Sequence, residues 1–259
     1  MIQTALPTRM LMLKAWYESR IRLLLVVTVT AGLCCVFLVF HGRLHSHMRD
    51  ATPVDASYNG YVYLRIYGGY VRGLFLFFAI VLGLGGLQRE RAHGSIGFTL
   101  ALPVARLQLL SARALVGLVQ VAIVSWLPVL LVPSLSAVVG EHYAVAQSAE
   151  FALLWTVVGA AVFSASFLAS AVISNEYAAL TAVLFAFYVY PLVVVKTPIL
   201  QGRPIHIHYV MNGTGMSYFN PATDLLTGPI PWHIIGGFGV ATVLFLSIGA
   251  LATMRADFS

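Results

Sequence analysis

Residues 88–113, QRERAHGSIGFTLALPVARLQLLSAR, run directly into residues 114–139, ALVGLVQVAIVSWLPVLLVPSLSAVV. The second half decides the fold. It carries no Asp, Glu, Lys or Arg over more than the ~20 helical residues needed to cross a hydrocarbon core of about 30 Å. The first half carries Arg89, Glu90, Arg91, His93, Arg106 and Arg113. A charged segment held between apolar runs is what a polytopic membrane protein presents to the aqueous side.

The contrast extends to the whole chain. Of 259 residues, 59% are hydrophobic and 9% charged, with a mean hydropathy of +0.88. A soluble domain carries roughly 25% charged residues, so this chain lacks the polar surface to cover itself in water. Six stretches are long and apolar enough to span: Leu23–Phe40, Tyr70–Leu87, Ala114–Val139, Ser148–Ile173, Ala178–Val195 and Trp232–Met254. The expected fold is an all-α membrane protein with a six-helix transmembrane domain over residues 23–259 and outer loops at 41–69 and 196–231. The first stretch is expected to stay in the membrane and not to be cleaved as a leader, because its polar lead-in is long and HGRLHSH follows it instead of a small-residue cleavage site. Cys34 and Cys35 are adjacent within that stretch; neighbours make a poor disulfide, and both read as small buried residues.

Positive charge in the loops sets orientation. With both termini in the cytoplasm, Arg9, Lys14, Arg20, Arg22, Arg89, Arg91, Arg106, Arg113 and Arg255 lie inside, against Arg43, Arg49, Arg65, Arg72, Lys196 and Arg203 outside. The net charge of +6 therefore reflects basic residues at span ends, and no nucleic-acid partner is implied. The lipid bilayer is the solvent.

The six stretches hold no ionisable Asp, Glu, Lys or Arg in their interiors, which disfavours ion-coupled transport and cation conduction. Small residues at helical spacing, Ala161/Ala165/Ala169 and Ser166/Ser170/Ser174, read as close-packing faces. Catalytic motifs are missing as well: no HExxH, no serine elbow and no glycine-rich phosphate loop. The two lysines, Lys14 and Lys196, follow Leu13 and Val195, so the Gly-Lys of a Walker A loop does not occur. No cofactor is expected in this chain.

Before the first span, Lys14, Glu18 and Arg22 recur at i, i+4 and i+8 and form one charged stripe. Trp16 suits the headgroup level, so residues 1–22 are expected to form an N-terminal interfacial helix. In the 88–113 segment, Ser95 follows Gly94 and is placed to cap a helix, and Pro103 interrupts the apolar run Ile96–Leu102. Two short helices broken at Pro103 would make a compact charged knob.

These residues carry a resemblance. ERAHGSIGFTLALPVARLQLLSAR resembles the cytoplasmic coupling loop of the ABC type-2 transporter permeases. Glu90, Arg91, Gly94, Ser95, Leu100, Pro103, Val104 and Arg106 match the pattern, whereas Ala92, Ala101, Ala105 and Arg113 depart from it. FSASFLASAVISNEYAAL is similar to the family's tight connection between fourth and fifth spans, and YFNPATDLLTGP to the segment before the last. The resemblance implies a permease subunit of an ATP-driven exporter, in a bacterial cytoplasmic membrane, with a coupling helix between spans two and three. It implies two copies of an ABC ATP-binding subunit holding ATP and Mg, and a second permease, identical or paralogous. Arg89, Glu90, Arg91, His93, Gly94, Ser95, Pro103 and Arg106 would contact the ATPase; Lys14, Trp16, Glu18 and Arg22 would belong to the interfacial helix.

The outer loops carry His41, His45, His47, His206 and His208, with Met48, Met211 and Met216. Imidazole with thioether is a soft-metal palette, yet loop histidines are ordinarily solvated and no acidic or Cys ligand joins these. No metal is expected. Tyr58, Tyr61, Tyr63, Tyr67 and Tyr70 read as an aromatic belt at the outer interface of the second span. The alternatives to an exporter are a non-transporting scaffold or immunity-type protein on the same fold, and an intramembrane enzyme, which the lack of a catalytic set disfavours.

Overall fold

A computed structural model describes residues 5–42, 57–84, 106–173, 175–189, 219–220, 225–226 and 232–255. In chain order, these form α1 (Ala5–Val39), α2 (Tyr58–Val62), a π-helical turn π1 (Tyr63–Tyr67), α3 (Tyr70–Gly83), α4 (Arg106–Val139), α5 (Val145–Val172), α6 (Glu176–Leu184) and a second π turn, π2 (Phe185–Val189). The two-residue strands β1 (Phe219–Asn220) and β2 (Leu225–Leu226) pair antiparallel, and α7 (Trp232–Arg255) follows. Among the described residues, five runs are long and apolar enough to cross a membrane, and Tyr177–Phe187 is a shorter apolar helix. This is an integral membrane protein of helices.

The centre of the bundle is α5, which packs on α3, α4, α6 and α7. Its inner face supplies Phe151, Trp155, Val158 and Val162, all buried. Glycines let the neighbours approach. A Cβ at Gly83 would stand 2.5 Å from the Phe163 carbonyl oxygen and 2.6 Å from Ser166 Cβ, so α3 meets α5 backbone to backbone. Ser166 and Ala161 are thus used for packing, as their spacing implies. Large apolar side chains point outward on every long helix, among them Leu24, Leu130, Val172 and Val243. That exposure is stable only where lipid replaces water.

Hydroxyls in the spans turn back on their own helices. Ser136, Thr156, Ser164 and Ser166 donate to the carbonyls of Val132, Ala152, Ala160 and Val162. With no water to serve them, local carbonyls are their cheapest partners. α4 ends in a Schellman turn: Gly140 takes φ +85°, Gly140 N–H donates to Ala137 and Glu141 N–H to Ser136. α6 opens on Asn175, whose side-chain oxygen accepts from the N–H groups of Tyr177 and Ala178. These two stops make the α4–α5 and α5–α6 connections short. Cys34 is buried and Cys35 half-buried, both free thiols.

Three expectations are corrected. The residues assigned to a separate interfacial helix run unbroken into the first span, since α1 is continuous from Ala5 to Val39; no Gly or Pro interrupts it between Pro7 and Gly32. The second span begins at Tyr58, inside the stretch read as outer loop 41–69, and extends to Gly83 with a break at Gly68–Gly69. Its early start brings Arg65 inside a membrane-length run and moves Arg72 from the edge of the stretch Tyr70–Leu87 to the interior of that run, where no charge was expected.

Candidate functional site

The 88–113 segment is described from Arg106 onward, where it forms the first two turns of α4 without a break before Ala114. Leu109, Leu110 and Ala112 bury themselves against Leu11 of α1 and Phe167 of α5, with Met12 and Leu246 packed alongside. This small core ties α1, α4, α5 and α7 together at one end of the bundle. Polar contacts reinforce it. Glu18 Oε2 lies 3.5 Å from Arg113 Nη2, and Lys14 Nζ lies 3.7 Å from Glu18 Oε1. Gln120 Nε2 donates to Ser19 Oγ at 2.7 Å, and that hydroxyl donates on to the Ala15 carbonyl. Trp16, expected at headgroup level, is half-buried and packs on the main core.

The second span holds a different arrangement. The Gly68 N–H donates to the Tyr63 carbonyl at 2.6 Å, closing the π turn. Gly69 then takes φ −117°, ψ −125°. A Cβ there would collide with the Leu64 carbonyl oxygen, so only glycine lets the chain restart as α3. No side chain caps that restart, and its first turn holds no acidic residue. Tyrosines fix the preceding half-helix. Tyr58 donates to Ser136 Oγ at 2.6 Å, Tyr61 to the Phe37 carbonyl at 3.0 Å and Tyr67 to Ser148 Oγ at 2.9 Å. Tyr67 stacks on Phe151 at 4.3 Å, and Phe75 on Trp155 at 5.0 Å. Tyr143, from the α4–α5 connection, closes this cluster; burial pushes its phenol well above the ordinary tyrosine range, so it stays neutral.

Beside the break lies an open cleft of about 1130 Å³ between α1, the second span and α6. Leu33, Phe37, Leu74, Phe77 and Leu184 supply apolar wall, and Arg65 and Arg72 reach into the lining. Arg65 also lies over the Tyr61 ring, 5.9 Å from its centroid.

The sequence that forms this bundle of long apolar helices matches a family model. ABC-2 family transporter protein is its description, and the match covers residues 12–229. The chain belongs to the ABC-2 transporter family. No curated protein is matched by the chain. Members of this family are membrane components of ABC systems and work with an ABC ATP-binding subunit.

Of the residues that the sequence nominates for coupling in this ABC-2 protein, Arg89, Glu90, Arg91, His93, Gly94, Ser95 and Pro103 lie outside the described residues, and Arg106 is the first residue of α4. Lys14 and Glu18 pair as their i, i+4 spacing implies, and Arg22 is half-buried on α1. His41 packs edge-on against Tyr58 and Tyr61, while His45, His47, His206 and His208 lie outside the described residues. Among the described residues, no three of His, Cys, Asp and Glu come together. Sequence reasoning missed the cleft. The signal was Gly68–Gly69 inside YVYLRIYGGYVRGLFLFF, a helix interruption flanked by Arg65 and Arg72. The expected aromatic belt is also corrected: Tyr61, Tyr63 and Tyr67 are buried in the core, Tyr58 is half-buried against it, and Tyr70 is 63% exposed.

Proposed function

We propose that this ABC-2 protein is the permease subunit of an ATP-driven exporter in a bacterial cytoplasmic membrane. Two ABC ATP-binding subunits hold ATP and Mg, and a second permease completes the substrate path. The observation that carries this reading is the anchorage of the 88–113 segment. Its last residues are built into α4 and share a small core with α1, α5 and α7. A partner moving that segment would shift four helices together, the mechanical requirement for switching between inward- and outward-facing states. Arg89, Glu90, Arg91, His93, Gly94, Ser95, Pro103 and Arg106 supply the contacts to the ATPase.

The test is recovery of the chain from its own membranes in mild detergent, with partners identified by mass spectrometry. An ATP-binding subunit is expected with the native chain and is expected to be lost from the Glu90→Arg/Arg91→Glu variant. Recovery of the chain alone in several detergents would overturn the exporter reading in favour of a non-transporting scaffold.

A further inference from the structure

We propose that the cleft beside the broken second span binds an anionic phospholipid, its phosphate held by Arg65 and Arg72 and its chains laid against Phe37, Phe77 and Leu184. Four observations converge on that chemistry. The cleft is large, about 1130 Å³, and otherwise walled by apolar side chains. Among the described residues, two guanidiniums line it and no carboxylate does. A guanidinium matches a phosphate through paired N–H donors, and a basic pocket between membrane helices is a recurring way of holding a lipid headgroup. The restart of α3 at Gly69 also lines the cleft and carries no side-chain cap, so its dipole adds favourable potential for an anion.

The walls select the source of the phosphate. Free phosphate has no use for Phe37, Phe77 and Leu184, whereas a lipid satisfies both kinds of surface at once.

The site does not depend on the ATPase reading, and its test needs neither nucleotide nor partner. The purified full chain in a neutral detergent is titrated with phosphatidylglycerol and with phosphatidylcholine of the same acyl chains, and bound lipid is counted by native mass spectrometry. The expected result is phosphatidylglycerol binding at least about tenfold tighter, because both lipids offer the same phosphate but the choline of phosphatidylcholine adds a cation that the two guanidiniums repel. Arg65→Gln/Arg72→Gln is expected to abolish the preference. Gly73→Leu keeps both charges, and its added Cβ meets nothing within 4 Å, so it fills the cleft without straining the helix and is expected to lower lipid occupancy. That variant carries the test if the arginine variant does not fold. Equal binding of the two lipids, or a preference that survives both variants, would overturn the proposal. Displacement of phosphatidylglycerol by millimolar inorganic phosphate would overturn it too, reassigning the cleft to a free anion.

Discussion

Gly159 shows how finely a single position is set. A Cβ added there would stand 2.5 Å from Phe75 Cζ and 2.9 Å from Val121 Cγ1, and Phe75 is held in place by its stack on Trp155. Gly159→Leu is therefore expected to destabilise the bundle by roughly 1–3 kcal/mol through overpacking. Gly236→Leu, at a position where an added Cβ meets nothing within 4 Å, is expected to change stability by less than about 0.5 kcal/mol. Thermal unfolding in detergent compares them, and equal shifts would refute the assignment. In sequence the two glycines look alike. Which small residue meets a neighbour depends on how each helix is rotated, and nothing local in an apolar helix fixes that. The tyrosines teach the same lesson. Their composition suits a headgroup belt, but acceptors on α1 and α5 for their hydroxyls draw Tyr61 and Tyr67 into the core.

Among the elements, the spans from Ala114, Ser148 and Trp232 were legible because an apolar run long enough to cross a bilayer has few other uses. The ends were less so. α1 reads as two elements because its first half bears Lys14, Glu18 and Arg22; it forms one because α4 answers that polar face with Arg113 and Gln120. Such partners lie about a hundred residues away and leave no local trace. Their energetic weight is testable at Gln120, which is buried, donates to Ser19 and leaves its Oε1 without a partner among the described residues. Gln120→Leu removes one interhelical bond and one orphaned carbonyl oxygen together, while Ser19 keeps its bond to Ala15. Interhelical hydrogen bonds in membranes average about 0.6 kcal/mol, so the variant is expected within ~1 kcal/mol of the native chain. Gln120→Glu places a charge at the same buried position and is expected to cost several kcal/mol or to take up a proton. Unfolding midpoints in detergent at neutral pH check both, and a Leu variant as damaged as the Glu variant would make the bond structural.

For the whole molecule, the order of spans decides which leaflet the arginine cleft serves. Basic residues concentrate before the first span and in the 88–113 segment, which argues for both termini and that segment lying in the cytoplasm. On that topology the second span enters from the outer side at Tyr58. Arg65 then lies about 10 Å along the helix from that end, at 1.5 Å per residue, and the cleft opens toward the outer leaflet. The short connections give two well-placed reporters on opposite sides. Glu141, after the Schellman turn that ends α4, is exposed, and Tyr177, just past the Asn175 cap, is 80% exposed. In a Cys34→Ala/Cys35→Ala background, Glu141→Cys is expected to react with a membrane-impermeant maleimide on intact spheroplasts. Tyr177→Cys is expected to react only after permeabilisation. The reverse pattern would invert the topology and carry the cleft to the inner leaflet. It would also place the 88–113 segment outside, beyond reach of any ATP-binding subunit, so a single labelling experiment bears on the lipid site and the motor together.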